Sequence, residues 1–132
     1  MTERLFVDTS AWFAFANRRD GDHRAVAALL RTPGLRLVTS NYVFDETITL
    51  CRRRLGHDVA SRVGEVLRGD EVDLLQVTTD DQHAAWRLFL GRADQEYSFT
   101  DCTSFVLMRR LRLRTAAALD DDFAREGFQA RP

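Results

Sequence analysis

Four acids in this sequence, Asp8, Glu46, Asp101 and Asp120, are placed where carboxylates can do chemistry. Asp8 closes the run LFVD and Asp120 closes AAALD, each where a short apolar run meets polar residues. Glu46 lies in NYVFDETITLCRRR, with Val43 three residues before it and Leu50 four after, so a helix puts it on their inward stripe. Asp101 lies in YSFTDCTSF, and steps of four and seven from it reach Phe105 and Met108. A helix there points its carboxylate along an apolar face, where burying a lone charge is costly. Four carboxylates brought together repel one another and carry raised pKa values, a penalty that a divalent cation removes. Hard oxygen donors suit Mg²⁺ or Mn²⁺, which keep several waters and leave positions for phosphate oxygens. The chemistry of such a set is metal-assisted hydrolysis of a phosphodiester, with a carboxylate able to accept the proton of the attacking water.

Each acid also has a plainer reading. Asp8 with Thr9 and Ser10, and Asp120 with Asp121 and Asp122, are ordinary helix-start acids that favour the positive end of the dipole. Glu46 can pair with an arginine, and Ser98 is a cap for the helix that carries Asp101.

The elements that must position these acids follow from the hydrophobic pattern. Short apolar runs at Leu5–Val7, Leu35–Val38, Val72–Val77 and Ala116–Leu119 read as buried strands, with Phe128 in a terminal edge strand. Helical patterns cover residues 10–18, 22–31, 41–55, 57–68, 80–91, 99–112 and 121–126, with Asn41, Thr79 and Ser98 as caps. Strands alternating with helices predict an α/β fold with a mainly parallel sheet and right-handed crossovers. Sites in such sheets form beyond the carboxyl ends of the strands, where Asp8 and Asp120 fall.

The chain of 132 residues, with 45% hydrophobic and 30% charged residues, has the length and composition of one globular domain, 1–132. No apolar run approaches the roughly 20 residues that span a bilayer, and the first residues lack a signal-peptide pattern. The cytoplasm is the expected compartment. Cys51 and Cys102 read as core thiols with no disulfide between them. His23, His57 and His83 are scattered and match no zinc spacing. Net charge is −1, and all 19 basic residues are arginine. The absence of lysine argues against a phosphoacceptor receiver domain and against a P-loop switch, whose lysine reaches the phosphates. The stretch DTS in place of DxD argues against a haloacid-dehalogenase-like phosphatase.

The stretches FVDTSAWFAF, SNYVFDETITL, YSFTDCTSF and ALDDDFAREGF occur in this order across essentially the whole chain. In that order and spacing the sequence resembles the PIN-domain ribonucleases, in particular the VapC-type toxins of prokaryotic toxin–antitoxin pairs. The resemblance implies a three-layer α/β/α sandwich around a mainly parallel, roughly five-stranded sheet. It implies Mg²⁺ or Mn²⁺ held by Asp8, Glu46, Asp101 and Asp120, with Asp122 as a further acid, cutting RNA. It implies that the hydroxyls of Thr9 and Ser10 support the first aspartate. It also implies an antitoxin on a separate chain and a homodimer. Ala118 departs from the threonine common at that place, and the run Asp120–Asp122 leaves the register of the fourth acid open. A catalytically silent module that binds RNA or protein, and a DNA-directed nuclease of the same fold, remain as alternatives.

Arg52–Arg54 and the cluster Arg109, Arg110, Arg112 and Arg114 are candidates for phosphate contacts, Arg109 and Arg112 foremost, or else solvated helix ends. Trp12, Trp86 and the nine phenylalanines are expected in the core, with Phe13 and Phe15 nearest a partner surface.

Overall fold

The computed structural model describes residues 3–132. Strands β1 (Glu3–Val7), β2 (Leu35–Ser40), β3 (Val72–Leu75), β4 (Thr115–Ala117) and β5 (Gln129–Arg131) form one sheet in the order β3-β2-β1-β4-β5. Every neighbouring pair is parallel. The helices are α1 (Thr9–Ala16), α2 (His23–Leu30), α3 (Asn41–Leu55), α4 (His57–Leu67), α5 (Thr79–Gly91), α6 (Phe99–Leu111) and α7 (Asp122–Arg125). The chain steps outward from β1 to β3, then returns past β1 to add β4 and β5. Right-handed crossovers therefore put α1–α4 on one face of the sheet and α5–α7 on the other. The contacts of α3 with α1 and α4, and of α5 with α6, agree with that layering. The parallel α/β sheet expected from the alternation of elements, and the three-layer sandwich that the resemblance implies, are the ones observed.

Reversal of strand order creates a switch point between β1 and β4, which is where α/β sheets open a crevice. Two hydrogen bonds weld the carboxyl ends of these strands. The Asp8 amide donates to the Ala117 carbonyl at 3.0 Å, and the Leu119 amide donates to Ser10 Oγ at 3.1 Å. Beneath them the core is continuous. Phe6, Trp12, Phe105 and Phe123 are wholly buried, each worth roughly 2–3 kcal/mol of burial. Phe105 meets Tyr97 and Phe123 edge-on, with centroids 5.1 and 4.9 Å apart. Cys51 and Cys102 are buried, in α3 and α6.

Several boundaries differ from the expectations, each for a local reason. Ser40, not Asn41, caps α3 by accepting from the Val43 amide at 3.1 Å. The Asn41 side chain instead accepts from the Val77 amide at 2.8 Å. That bond takes the Val77 amide away from any strand partner, and β3 ends at Leu75. Thr78 rather than Thr79 caps α5, because Asp81 completes a capping box with it. The fourth strand stops at Ala117: the Ala118 amide makes the last ladder bond, to the Arg131 carbonyl of β5, and the Leu119 amide turns away to Ser10. Phe128 precedes β5 and stacks on Phe105 at 5.9 Å. Between α3 and α4 the chain pivots at Gly56, whose φ of 93° suits a residue without Cβ. Trp86 is not in the core: it is 52% exposed and lies against Phe89 on the outer side of α5. Among the described residues no helix is long and apolar enough to cross a membrane.

Glu126 fastens the α6–α7 side of the sandwich. Its carboxylate is nearly enclosed and accepts from Arg92 at 2.9 Å, Arg109 at 3.0 Å and the Tyr97 hydroxyl at 3.0 Å. These partners hold it below the usual glutamate range despite burial. Glu126→Ala is expected to destabilise the fold by about 2 kcal/mol. That is below the usual cost of breaking a buried pair, because the half-exposed arginines can be resolvated. Urea unfolding at neutral pH measures it.

Candidate active site

At the carboxyl edge of the sheet an open pocket of about 590 Å³ receives side chains from four separate parts of the chain. Asp8 enters from the end of β1, Asp45 and Glu46 from α3, Asp101 from the start of α6, and Asp120 from the turn after β4. A larger groove of about 740 Å³ runs beside α1 and α4. Its charged lining is arginine, with no carboxylate, so it offers a hard cation no anionic donor.

Asp8 is the most buried of these acids, at 4% exposure. It is at once the N-cap of α1 and the floor of the pocket. Its Oδ2 accepts from Ser10 Oγ at 2.7 Å and from the Ser10 amide at 3.3 Å. Ser10 Oγ, which also accepts from Leu119, thus ties Asp8 to the segment leading into Asp120. Thr9 acts differently: its hydroxyl accepts from Thr47 Oγ1 at 3.5 Å, which joins α1 to α3 beside Glu46. Burial, reinforced by the nearby charges of Asp101 and Asp120, raises Asp8 to about 7.

Asp101 is not the lone buried charge that helical spacing suggests. Standing at the third position of α6, it is half-buried, and its Oδ2 accepts from the Ser98 amide at 2.9 Å in a capping box. The cap reading and the site reading therefore hold together, one oxygen serving the helix while the carboxylate borders the pocket. Burial and the charges of Asp120, Asp122 and Glu46 raise Asp101 to about 6. Asp120 lies three residues beyond β4, in an exposed turn, and its Oδ1 accepts from the Asp122 amide at 3.0 Å. Partial burial at the pocket rim and the adjoining Asp122 and Asp121 push it upward too. Asp122 does not line the pocket: its carboxylate takes Arg125 at 3.0 Å.

Hard oxygen donors around an open, wet pocket are the donor set of Mg²⁺ or Mn²⁺. Among the described residues no three such side chains already stand at the spacing of a closed metal site. A cation that retains most of its waters needs only one or two carboxylates directly.

The arginines depart from expectation. Arg109 is committed to Glu126 and lies over the Phe128 ring at 5.2 Å, away from the pocket. Arg112 closes α6 in the left-handed conformation, φ 57°, and is exposed. Neither lines the acidic pocket, whose one cation among the described residues is Arg53. Asp45 and Thr49, not among the expected site residues, and Arg53, expected only as one of the candidate phosphate contacts, recur every four residues along α3. That spacing was the available signal.

The PIN domain family profile matches residues 5–128. The chain is 38% identical over 129 residues to the 23S rRNA-specific endonuclease VapC20 of Mycobacterium tuberculosis, covering 97% of this chain and 98% of that one. It is 31% identical to Ribonuclease VapC26 of the same organism, over 88% of this chain and 86% of the relative. The crystal structure of VapC20, described as a sarcin–ricin loop cleaving toxin, superposes with a TM-score of 0.90 over 97% of this chain and 99% of that chain. A chain of the Rickettsia felis VapBC2 complex, at 11% identity, shares the fold with a TM-score of 0.71 over 97% of both chains.

Asp8 and Asp101 hold their protons to higher pH when folded than when unfolded. The stability tied to those protons is complete below about pH 4 and is lost as pH rises through about 6 and 7. The acids held low by arginine, Asp73, Asp81 and Glu126, lose theirs only at more acidic pH. In EDTA the melting temperature is therefore expected to fall between pH 5 and 8, with roughly 4 kcal/mol as the ceiling for Asp8. Asp8→Asn should flatten that fall, as scanning fluorimetry across pH will record.

Proposed function

We propose that this chain, which belongs to the PIN-domain family, is a metal-dependent endoribonuclease and the toxin of a toxin–antitoxin pair. The observation that carries the reading is the convergence of Asp8, Glu46, Asp101 and Asp120 on one pocket at the β1–β4 switch point. The near-full-length likeness to relatives named as ribonucleases supports it, and supports RNA over DNA as substrate. An antitoxin on a separate chain belongs to the same reading, supported by the likeness to a toxin, and a homodimer is part of the proposal.

In this mechanism Asp8, Glu46, Asp101 and Asp120 hold Mg²⁺ or Mn²⁺. A divalent cation bound there supplies a water of lowered pKa and offsets the charge of the phosphate under attack. Asp8 is fixed by its two bonds from Ser10, which favour its ionised form against the burial that raises it. The Ser98 amide orients Asp101, leaving its other oxygen towards the pocket. With neither histidine nor lysine in the lining, a carboxylate takes the proton from the attacking water. Asp122, occupied by Arg125, sits behind Asp120 and adjusts its charge.

Asp101→Asn tests the assignment cleanly, since an amide oxygen can still accept from Ser98 and keep the cap. Cleavage of total RNA with Mn²⁺ is expected to drop at least 100-fold, in line with the loss of a charged ligand to a catalytic cation. Growth arrest without antitoxin should disappear while circular dichroism stays unchanged. Mn²⁺ should raise the melting temperature of the wild type by several degrees over EDTA. A fully active Asp101→Asn protein would refute the site, and preferential cleavage of single-stranded DNA would refute the substrate.

A further inference from the structure

Arg52, Arg53 and Arg54 occupy the last turn of α3, but successive residues on a helix point about 100° apart. Arg52 lines a shallow hollow against α4, Arg54 lines the arginine-rich groove beside α1, and Arg53 alone lines the acidic pocket. Arg53 stands seven residues after Glu46 and four after Thr49, on the same side of α3 and about 10 Å along the axis from Glu46.

Its company makes its isolation informative. Asp8, Asp45, Glu46, Asp101 and Asp120 share the pocket. Yet Arg53 forms no ion pair or side-chain hydrogen bond with any described residue and is exposed. Arg36, Arg92, Arg109, Arg110, Arg125 and Arg131 are all paired with acids. An RNA strand entering a pocket lined by carboxylates meets repulsion along its whole backbone. A cation at the centre answers only for the phosphate being cut. The neighbouring phosphates need positive charge at the rim, and a guanidinium offers it as a planar fork matched to phosphate oxygens.

We infer that Arg53 binds a backbone phosphate flanking the cleaved bond and so sets the register of the RNA across the pocket. This rests on the reading of the pocket as an RNA-cleaving site. Arg53 is a substrate-binding residue here, placed too far along α3 from Glu46 to share its role. The hydroxyl of Thr49, between them on the same side, is left to the intervening stretch of backbone.

The probe is a fluorescein-labelled RNA hairpin with the sequence of the 23S rRNA sarcin–ricin loop. Binding is measured at several salt concentrations in an Asp8→Asn background, which does not cut. Cleavage is measured separately in the otherwise wild-type protein with Mn²⁺. Arg53→Ala is expected to raise KM about tenfold with kcat within about twofold, and to lower the slope of log K against log salt by about 0.7, the value for one phosphate of a single strand. Arg53→Lys should recover most of the slope. Arg52→Ala, the same loss of charge on the same turn, should leave KM within about twofold. Equal weakening by Arg52→Ala and Arg53→Ala would overturn the contact, as would an unchanged salt slope. A fall in kcat alone would overturn the flanking role. If the wild type cuts no RNA, the proposed function fails, but the salt slope still decides whether Arg53 grips phosphate.

Discussion

A buried aspartate in a ring of other acids is the constraint around which this molecule is arranged. Asp8 is almost fully enclosed, and its neighbours in the pocket carry the same charge. Left to itself such a group is expelled or protonated. It is held by being placed at the end of the central strand, where the backbone cannot move without breaking the sheet. Ser10 satisfies its inner oxygen and, through Leu119, fastens the same point to β4. The β1–β4 junction is thus both the hinge of the topology and the anchor of the site.

Acids elsewhere in the chain are treated in the opposite way. Glu126 and Asp81 are as enclosed as Asp8, but each is answered by arginine: Arg92 and Arg109 for one, a two-pronged contact from Arg110 for the other. Both are held below their ordinary range, whereas Asp8 and Asp101 are pushed up. Burial raises Asp8 and Asp101 with no arginine to oppose it, whereas arginine outweighs burial at Glu126 and Asp81. Arginine pairs with the acids outside the pocket, while among the described residues no ion pair answers those that line it. An acidic cluster that no protein cation answers is where perturbed groups mark a functional position.

That contrast also explains what was legible in the sequence. The strand–helix alternation, the carboxyl end of β1 and the extents of α3 and α6 follow from periodicity alone, because tertiary packing and local propensity agree there, whereas β2 runs two residues past the expected Val38, to Ser40. Glu46 and Asp101 stood out because a carboxylate on an apolar stripe conflicts with its surroundings. The failures have other causes. Ser40 against Asn41, and Thr78 against Thr79, are choices between adjacent capable caps: the first is decided by Val77, 36 residues from Asn41, and the second by Asp81, three residues on, whose capping box the sequence already held. Arg109 and Arg53 look alike in one dimension. Only the fold reveals that Glu126 and Phe128 wait for the first while nothing waits for the second. Trp86 was assigned to the core by type, and exposure depends on which neighbour covers a face.

The same electrostatics links stability to function. Raised carboxyl groups mean that the folded chain at neutral pH stores unfavourable energy in its pocket, set against the pairing of β1 with β4 and the packing of Phe105 on Phe123. On the proposed reading, binding a divalent ion and drawing the carboxylates together are one event, and its gain includes the repulsion relieved. Asp120 is the natural moving part, being exposed, in a turn and beyond the last residue of β4. Asp8 is the fixed one. A site built from one immobile acid and one adjustable acid can accept a cation and a phosphate without disturbing the strand that positions both.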